Sequence, residues 1–249
     1  MGNISYKEAL RNARAVRANK SFRTGMLAGH VCRIISRYCS AWFVTKGIVP
    51  NQVTLLMIIF GIIGSIFFAL PYLWAKIVGY LLWFLWFTMD VSDGEVAKST
   101  GNFSKYGTEM DYMAHLIDHP LMNLAIWLTF LEMNIINLVL LSAIFIVAIS
   151  AELVTRSLIT FRHYDRKLNM SGTTSIPKEG SWFKYFWGNT WLYPTMIVCF
   201  SWLIVVDYGL DNGFSFWLFI IWLSGYLIMF IRDVIKILGR CYRGDNGLS

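Results

Sequence analysis

Charged side chains are scarce in this chain. Only 15% of its 249 residues are Asp, Glu, Lys or Arg against 56% hydrophobic, a balance that excludes an ordinary soluble domain. Period-two alternation is missing from the long apolar segments, which excludes a membrane barrel built from them. The four cysteines, Cys32, Cys39, Cys199 and Cys241, have neither metal-ligand nor redox spacing, and free thiols are expected. Internal repeats and low-complexity tracts are absent too. No signal peptide is expected, since more than forty residues rich in basic and polar side chains precede the first long apolar run. The opening MGNISY has Tyr6 where a myristoylation motif needs Ser or Thr.

What is present is a series of apolar runs. About 20 helical residues cross ~30 Å of hydrocarbon, and six segments qualify: 48–70, 72–89, 107–131, 135–159, 189–206 and 214–238. The third is the least clean, because Asp111, His115, Asp118 and His119 occupy its first half. The expected fold is an all-α integral membrane protein with six transmembrane helices. Its basic residues are one-sided: nine of 22 precede the first span, others follow the second, fourth and sixth, and only Lys76 falls opposite. Lys and Arg are retained on the cytoplasmic side, so both termini are expected there. The net charge of +7 then reflects orientation and attraction to anionic lipid, worth ~1 kcal/mol per basic residue, and no nucleic-acid partner is expected.

Before the first span, Leu27, Val31, Ile34, Tyr38 and Trp42 recur at helical spacing among Arg23, Arg33 and Arg37. Such an amphipathic helix suits the membrane interface, or packing on the protein's own cytoplasmic face. The expected organisation is a cytoplasmic segment, 1–47, followed by a six-helix unit, 48–249.

Chemistry concentrates in the stretch DVSDGEVA, residues 90–97. Asp90 and Asp93 are three apart and share a helix face, Gly94 removes a side chain that would block a ligand, and Ala97 extends that face with a methyl. Gly107, Asp111 and His115 recur every four residues in a second stripe. Three converging carboxylates repel unless neutralised. A divalent cation, Mg²⁺ or Mn²⁺, resolves this, and such ions also bind diphosphates and stabilise a transferring phosphoryl group. Upstream, Asn51 and Thr54 in PNQVT place polar side chains at the interface as caps or ligand contacts. Arg156, Arg162 and Lys167 could meet an anionic acceptor or donor, or serve orientation alone, and Glu152 is placed one turn before Arg156 to pair with it.

The spacing D-x2-D-G-x2-A-x9-G-x3-D, formed by Asp90, Asp93, Gly94, Ala97, Gly107 and Asp111, resembles the signature of the CDP-alcohol phosphotransferase family. PNQVT also resembles the usual start of that family's first helix. The resemblance implies a homodimeric six-helix bundle with its active site facing the cytoplasm. Asp90, Asp93 and Asp111 would bind a metal pair. Gly94, Ala97 and Gly107 would make room for the cytidine diphosphate of an activated donor, with Asn51, Thr54, Asp90 and Lys98 as further nucleotide contacts. The reaction would transfer a substituted phosphoryl group to a lipid or other alcohol and release CMP, in a bacterial or archaeal plasma membrane.

Two residues depart from the pattern. Lys98 stands where the family usually has Arg, and His115 stands where it has a fourth Asp, assigned as the base that activates the acceptor hydroxyl. Neutral imidazole could act as that base, ligate metal, or remain as a remnant of a silent nucleotide-binding member. Asp118, seven residues beyond Asp111, could orient His115 or replace the missing carboxylate, whereas His119 is expected to be a packed interior residue. Loss of the carboxylate base also raises an acceptor that needs none, such as polyprenyl phosphate. A metal transporter is the rival from another class, and no chain of acids continues across the membrane to support it.

Overall fold

The computed structural model describes residues 4–16, 26–168 and 181–245. Among them every regular element is helical: α1 (Tyr6–Ala15), α2 (Leu27–Thr45), α3 (Pro50–Ala69), α4 (Leu73–Thr100), α5 (Gly107–Glu132), α6 (Leu138–Leu168), α7 (Trp182–Thr190), α8 (Tyr193–Leu210, with a π-helical stretch Met196–Phe200) and α9 (Phe214–Asp245). Four are long and apolar enough to cross a membrane: Pro50–Ala69, Leu138–Phe161, Tyr193–Leu210 and Phe214–Gly239. The other two expected spans lie in α4 and α5, which have the length, 28 and 26 residues, but carry the acids and histidines that dilute their hydropathy.

The centre of the fold is α3 packed on α4 and α5, with α2 against α4 and α6 against α5. Close backbone approach explains part of it. A methyl on Gly79 of α4 would lie 2.6 Å from the Phe68 nitrogen and 2.8 Å from the Gly64 oxygen of α3, so only glycine permits this crossing. Stacked Phe68 and Trp83, with ring centroids 4.2 Å apart, seal the same contact. Buried Trp86, Met57, Met122, Ile126 and Phe130 continue the core.

Lys76, the one basic residue expected on the far side, is fully buried. Its Nζ donates to Phe68 O (3.1 Å) and Thr129 Oγ1 (3.0 Å), pairs with Glu132 (3.0 Å), and sits 4.2 Å from the Tyr208 ring centroid. One cation thus ties α3, α4, α5 and α8 together.

At the other end, α2 turns its small and polar face inward. Ser36 and Ser40 donate to the two carboxylate oxygens of Glu95 at 3.1 and 2.8 Å, and Ala28 and Cys32 pack beside them. The apolar stripe faces out: Val31, Ile34, Tyr38 and Trp42 are all exposed, Ile34 by 61%. Helix α2 thus packs on the protein's own surface through its small and polar face, while Val31, Ile34, Tyr38 and Trp42 stay exposed among the described residues.

Candidate active site

Three helices deliver the signature residues to one place. Pro50 opens α3, with the Gln52 side chain accepting from the Val49 N–H (3.1 Å). Gly101, at φ 67°, ends α4 in the left-handed conformation that glycine adopts freely, and the chain turns into α5 at Gly107. Ser104 in that turn accepts from Asn51 Nδ2 (2.9 Å), which pins the turn to α3.

Between these elements and α6 lies a cavity of about 710 Å³, within the roughly 300–1,000 Å³ of small-molecule sites. Asn51, Thr54, Asp90, Gly94, Ala97, Lys98 and Gly107, the residues expected to meet a nucleotide, all line it, as do Asp93, Asp111 and Arg156. A methyl on Gly94 would meet only Lys98 Nζ (3.9 Å), so a side chain there would occupy cavity rather than packed protein. Arg162 belongs to α6, but its side chain lies outside the described residues.

Inside the cavity the acids divide. Asp90, Asp111 and His115 present ligand atoms within 4.8 Å of one another. His115 Nε2 lies 3.4 Å from Asp90 Oδ1 and 3.3 Å from Asp111 Oδ1. Asp93 stands apart from this triad and accepts a hydrogen bond from Thr54 Oγ1 (2.7 Å). Two oxygens and a nitrogen converging from two half-buried carboxylates and a buried histidine form a donor set that fits a divalent cation.

His115 itself is 3% exposed and does not line the cavity. Its Nδ1 is 3.0 Å from His119 Nε2, His119 Nδ1 is 2.6 Å from Glu152 Oε1, and Glu152 Oε2 is 2.5 Å from the Tyr226 hydroxyl. A file of four buried side chains from α5, α6 and α9 therefore leads away from the acids. Two expectations are corrected here. Asp118 does not orient His115, because its Oδ2 accepts from Trp86 Nε1 (2.8 Å) and its Oδ1 has no partner among the described residues. The second is Glu152, which bonds to His119 and Tyr226 rather than closing on Arg156, while His119, 1% exposed, is the packed interior residue expected and stands next to His115. Helical spacing hinted at it, since His115 and His119 are four apart, but Glu152 and Tyr226 have no sequence signal.

Sequence reasoning also passed over a second cavity, of about 410 Å³, between α1, α2 and α4. Arg14, His30, Arg33 and Arg37 line it, and it shares Asp90, Gly94 and Lys98 with the first. From sequence, these arginines count toward orientation and attraction to anionic lipid, with Arg33 and Arg37 on the basic flank of the amphipathic helix.

Among curated proteins none matches the chain. Residues 47–230, which include every element of both acid stripes, match the CDP-alcohol phosphatidyltransferase family. The chain belongs to that family.

Proposed function

We propose that this protein is a membrane-embedded transferase that moves a substituted phosphoryl group from a CDP-activated alcohol to a lipid acceptor. The acceptor oxygen bonds to the phosphorus bearing the alcohol, the bond from that phosphorus to the bridging oxygen breaks, CMP leaves with that oxygen, and a hydroxyl acceptor gives up its proton to solvent. The observation that supports this best is the single cavity in which the glycines, the acids and Arg156 meet. Asp90, Asp111 and His115 would hold the divalent cation, with Asp93 beside them held by Thr54. Mg²⁺ or Mn²⁺ at such a site neutralises diphosphate charge and stabilises the departing CMP. Gly94, Ala97 and Gly107 leave the diphosphate room to reach the acids, Asn51 and Thr54 frame the nucleotide, and Lys98 and Arg156 offset phosphate charge.

The topology belongs to the same proposal. Six spans are reached when α4 and α5 cross with the four apolar helices, and at ~1.5 Å per residue α4 outruns ~30 Å of hydrocarbon, which leaves Asp90 to Thr100 near the head groups. The basic residues put that end and both termini in the cytoplasm, α2 lies in the interface with its apolar stripe in lipid, and the assembly is a homodimer in a bacterial or archaeal plasma membrane.

A second reading concerns the acceptor. His115 is closed off from the cavity, so it is poorly placed to take a proton from an acceptor hydroxyl. Five basic side chains, Arg14, His30, Arg33, Arg37 and Lys98, line the adjoining cavity against two carboxylates, Asp90 and Glu95. Both favour an acceptor that is already anionic, such as a polyprenyl phosphate, which needs no base. Phosphorus NMR of the product distinguishes them, because a hydroxyl acceptor yields a phosphodiester and a phosphate acceptor yields a diphosphate bridge. Neither product from any CDP-activated donor, in proteoliposomes with either cation, would refute the proposed function.

A further inference from the structure

The geometry points to His119, Glu152 and Tyr226 as a buried positioning chain that fixes His115 as a nitrogen ligand and gives the metal site a mixed nitrogen and oxygen character. This rests on the proposed metal-dependent reading of the site.

The polarity of the chain follows from its ends. Both Glu152 oxygens are occupied, Oε2 by the Tyr226 hydroxyl (2.5 Å) and Oε1 by His119 Nδ1 (2.6 Å). The Tyr226 hydroxyl donates to the first of these. With Glu152 accepting at both oxygens, His119 carries its proton on Nδ1 and offers the Nε2 lone pair to His115. His115 must then donate from Nδ1 across the 3.0 Å contact. Its Nε2 faces Asp90 and Asp111 at 3.4 and 3.3 Å. A lone pair there repels the two carboxylates unless a proton or a cation lies between, and a bound cation takes the proton's place with the ring already aimed at it.

The rings are also held against rotation. His119 stacks on Tyr193 at 4.1 Å between centroids, and Trp86 packs edge-on to both histidines at 5.7 and 5.5 Å. The Tyr193 hydroxyl and Asn123 Nδ2 both donate to the His119 carbonyl at 3.0 Å, which fixes α5 across Pro120. Partners of a ligating histidine are known to orient the ring and raise its basicity, and losing them weakens metal affinity by about 10–100-fold. Imidazole nitrogen also favours first-row transition ions over Mg²⁺ more than carboxylate oxygen does.

The test uses the full chain in lipid nanodiscs with Mn²⁺ alone. Pulsed electron paramagnetic resonance of the wild type is expected to show ¹⁴N coupling to the bound ion, and His115→Asp is expected to bind Mn²⁺ without it. His119→Phe, which keeps the ring volume but accepts no hydrogen bond, is expected to weaken Mn²⁺ binding by about 10–100-fold in the folded protein, assayed below a melting temperature that falls because Glu152 and His115 each lose a buried partner. The ratio of Mn²⁺ to Mg²⁺ affinity is expected to fall in His115→Asp. Bound Mn²⁺ without ¹⁴N coupling in the wild type, or His119→Phe with wild-type affinity, would overturn the inference and leave the transferase proposal standing. Absence of any divalent-ion binding would remove both.

Discussion

At the scale of residues, the same amino acid has opposite duties at two glycines. Adding a methyl at Gly94 meets open cavity, whereas adding one at Gly61 meets the Asp118 carboxylate at 2.4 Å in the core. Gly94→Val is therefore expected to fold normally and to raise the KM for a CDP-activated donor in a steady-state assay. Gly61→Ala is expected to lose about 1–3 kcal/mol of stability, read as a lower melting temperature in detergent. Asp111 is 44% exposed, so Asp111→Asn should fold normally while CMP release falls by about 10²–10³-fold. The two stripes holding Asp90, Gly94, Gly107 and Asp111 were legible in the sequence because helical spacing alone aligns them. Glu152 and Tyr226 were not, because they lie 33 and 74 residues from their hydrogen-bond partners and only packing brings them together. Asp118 misled because it lies on the right stripe but one turn too deep, where the Trp86 indole captures it.

Among the elements, α2 shows how a clear pattern can leave its direction open. Leu27, Val31, Ile34, Tyr38 and Trp42 announce an amphipathic helix, but an apolar stripe suits lipid and a protein core equally well. The inward contact is made by the opposite face, where Ser36 and Ser40 meet Glu95 on the part of α4 beyond the expected span. Burial pushes the Glu95 carboxyl above its ordinary range, with the two serine hydroxyls opposing the rise. The folded state therefore binds this proton more tightly than the unfolded one, so the contribution is complete below the ordinary glutamate pKa and is lost as pH rises through the raised value. Amide exchange in α2 is expected to quicken over that rise beyond the intrinsic pH effect, and Glu95→Gln is expected to flatten the excess. At the far end, Lys76→Met removes the cation that α3, α5 and α8 share with α4. Breaking a buried ion pair costs ~3–5 kcal/mol, and Glu132, which keeps 26% exposure, recovers part of it, so a loss near ~2–3 kcal/mol is expected in a denaturation series.

For the molecule as a whole, the sequence made the class plain and the boundaries of the apolar helices nearly so. Four helices qualify as spans on length and composition, and α4 and α5, the other two expected, do not, since they contain Lys76 and the acids and histidines of the candidate site. The inward-facing basic cavity was equally hidden, because a charge count cannot tell arginines that orient a chain from arginines that line a pocket. The central claim, that this architecture brings a CDP-activated donor and a lipid acceptor together at the Asp90, Asp111 and His115 site, is tested most directly by CMP release. The purified protein is reconstituted in lipid with Mn²⁺ or Mg²⁺ and supplied with a panel of CDP-activated alcohols. CMP release that needs the cation and falls by about 10²–10³-fold in Asp111→Asn is the predicted result, whereas release at the wild-type rate in Asp111→Asn, or its absence from every donor despite bound cation and nucleotide, would contradict the account.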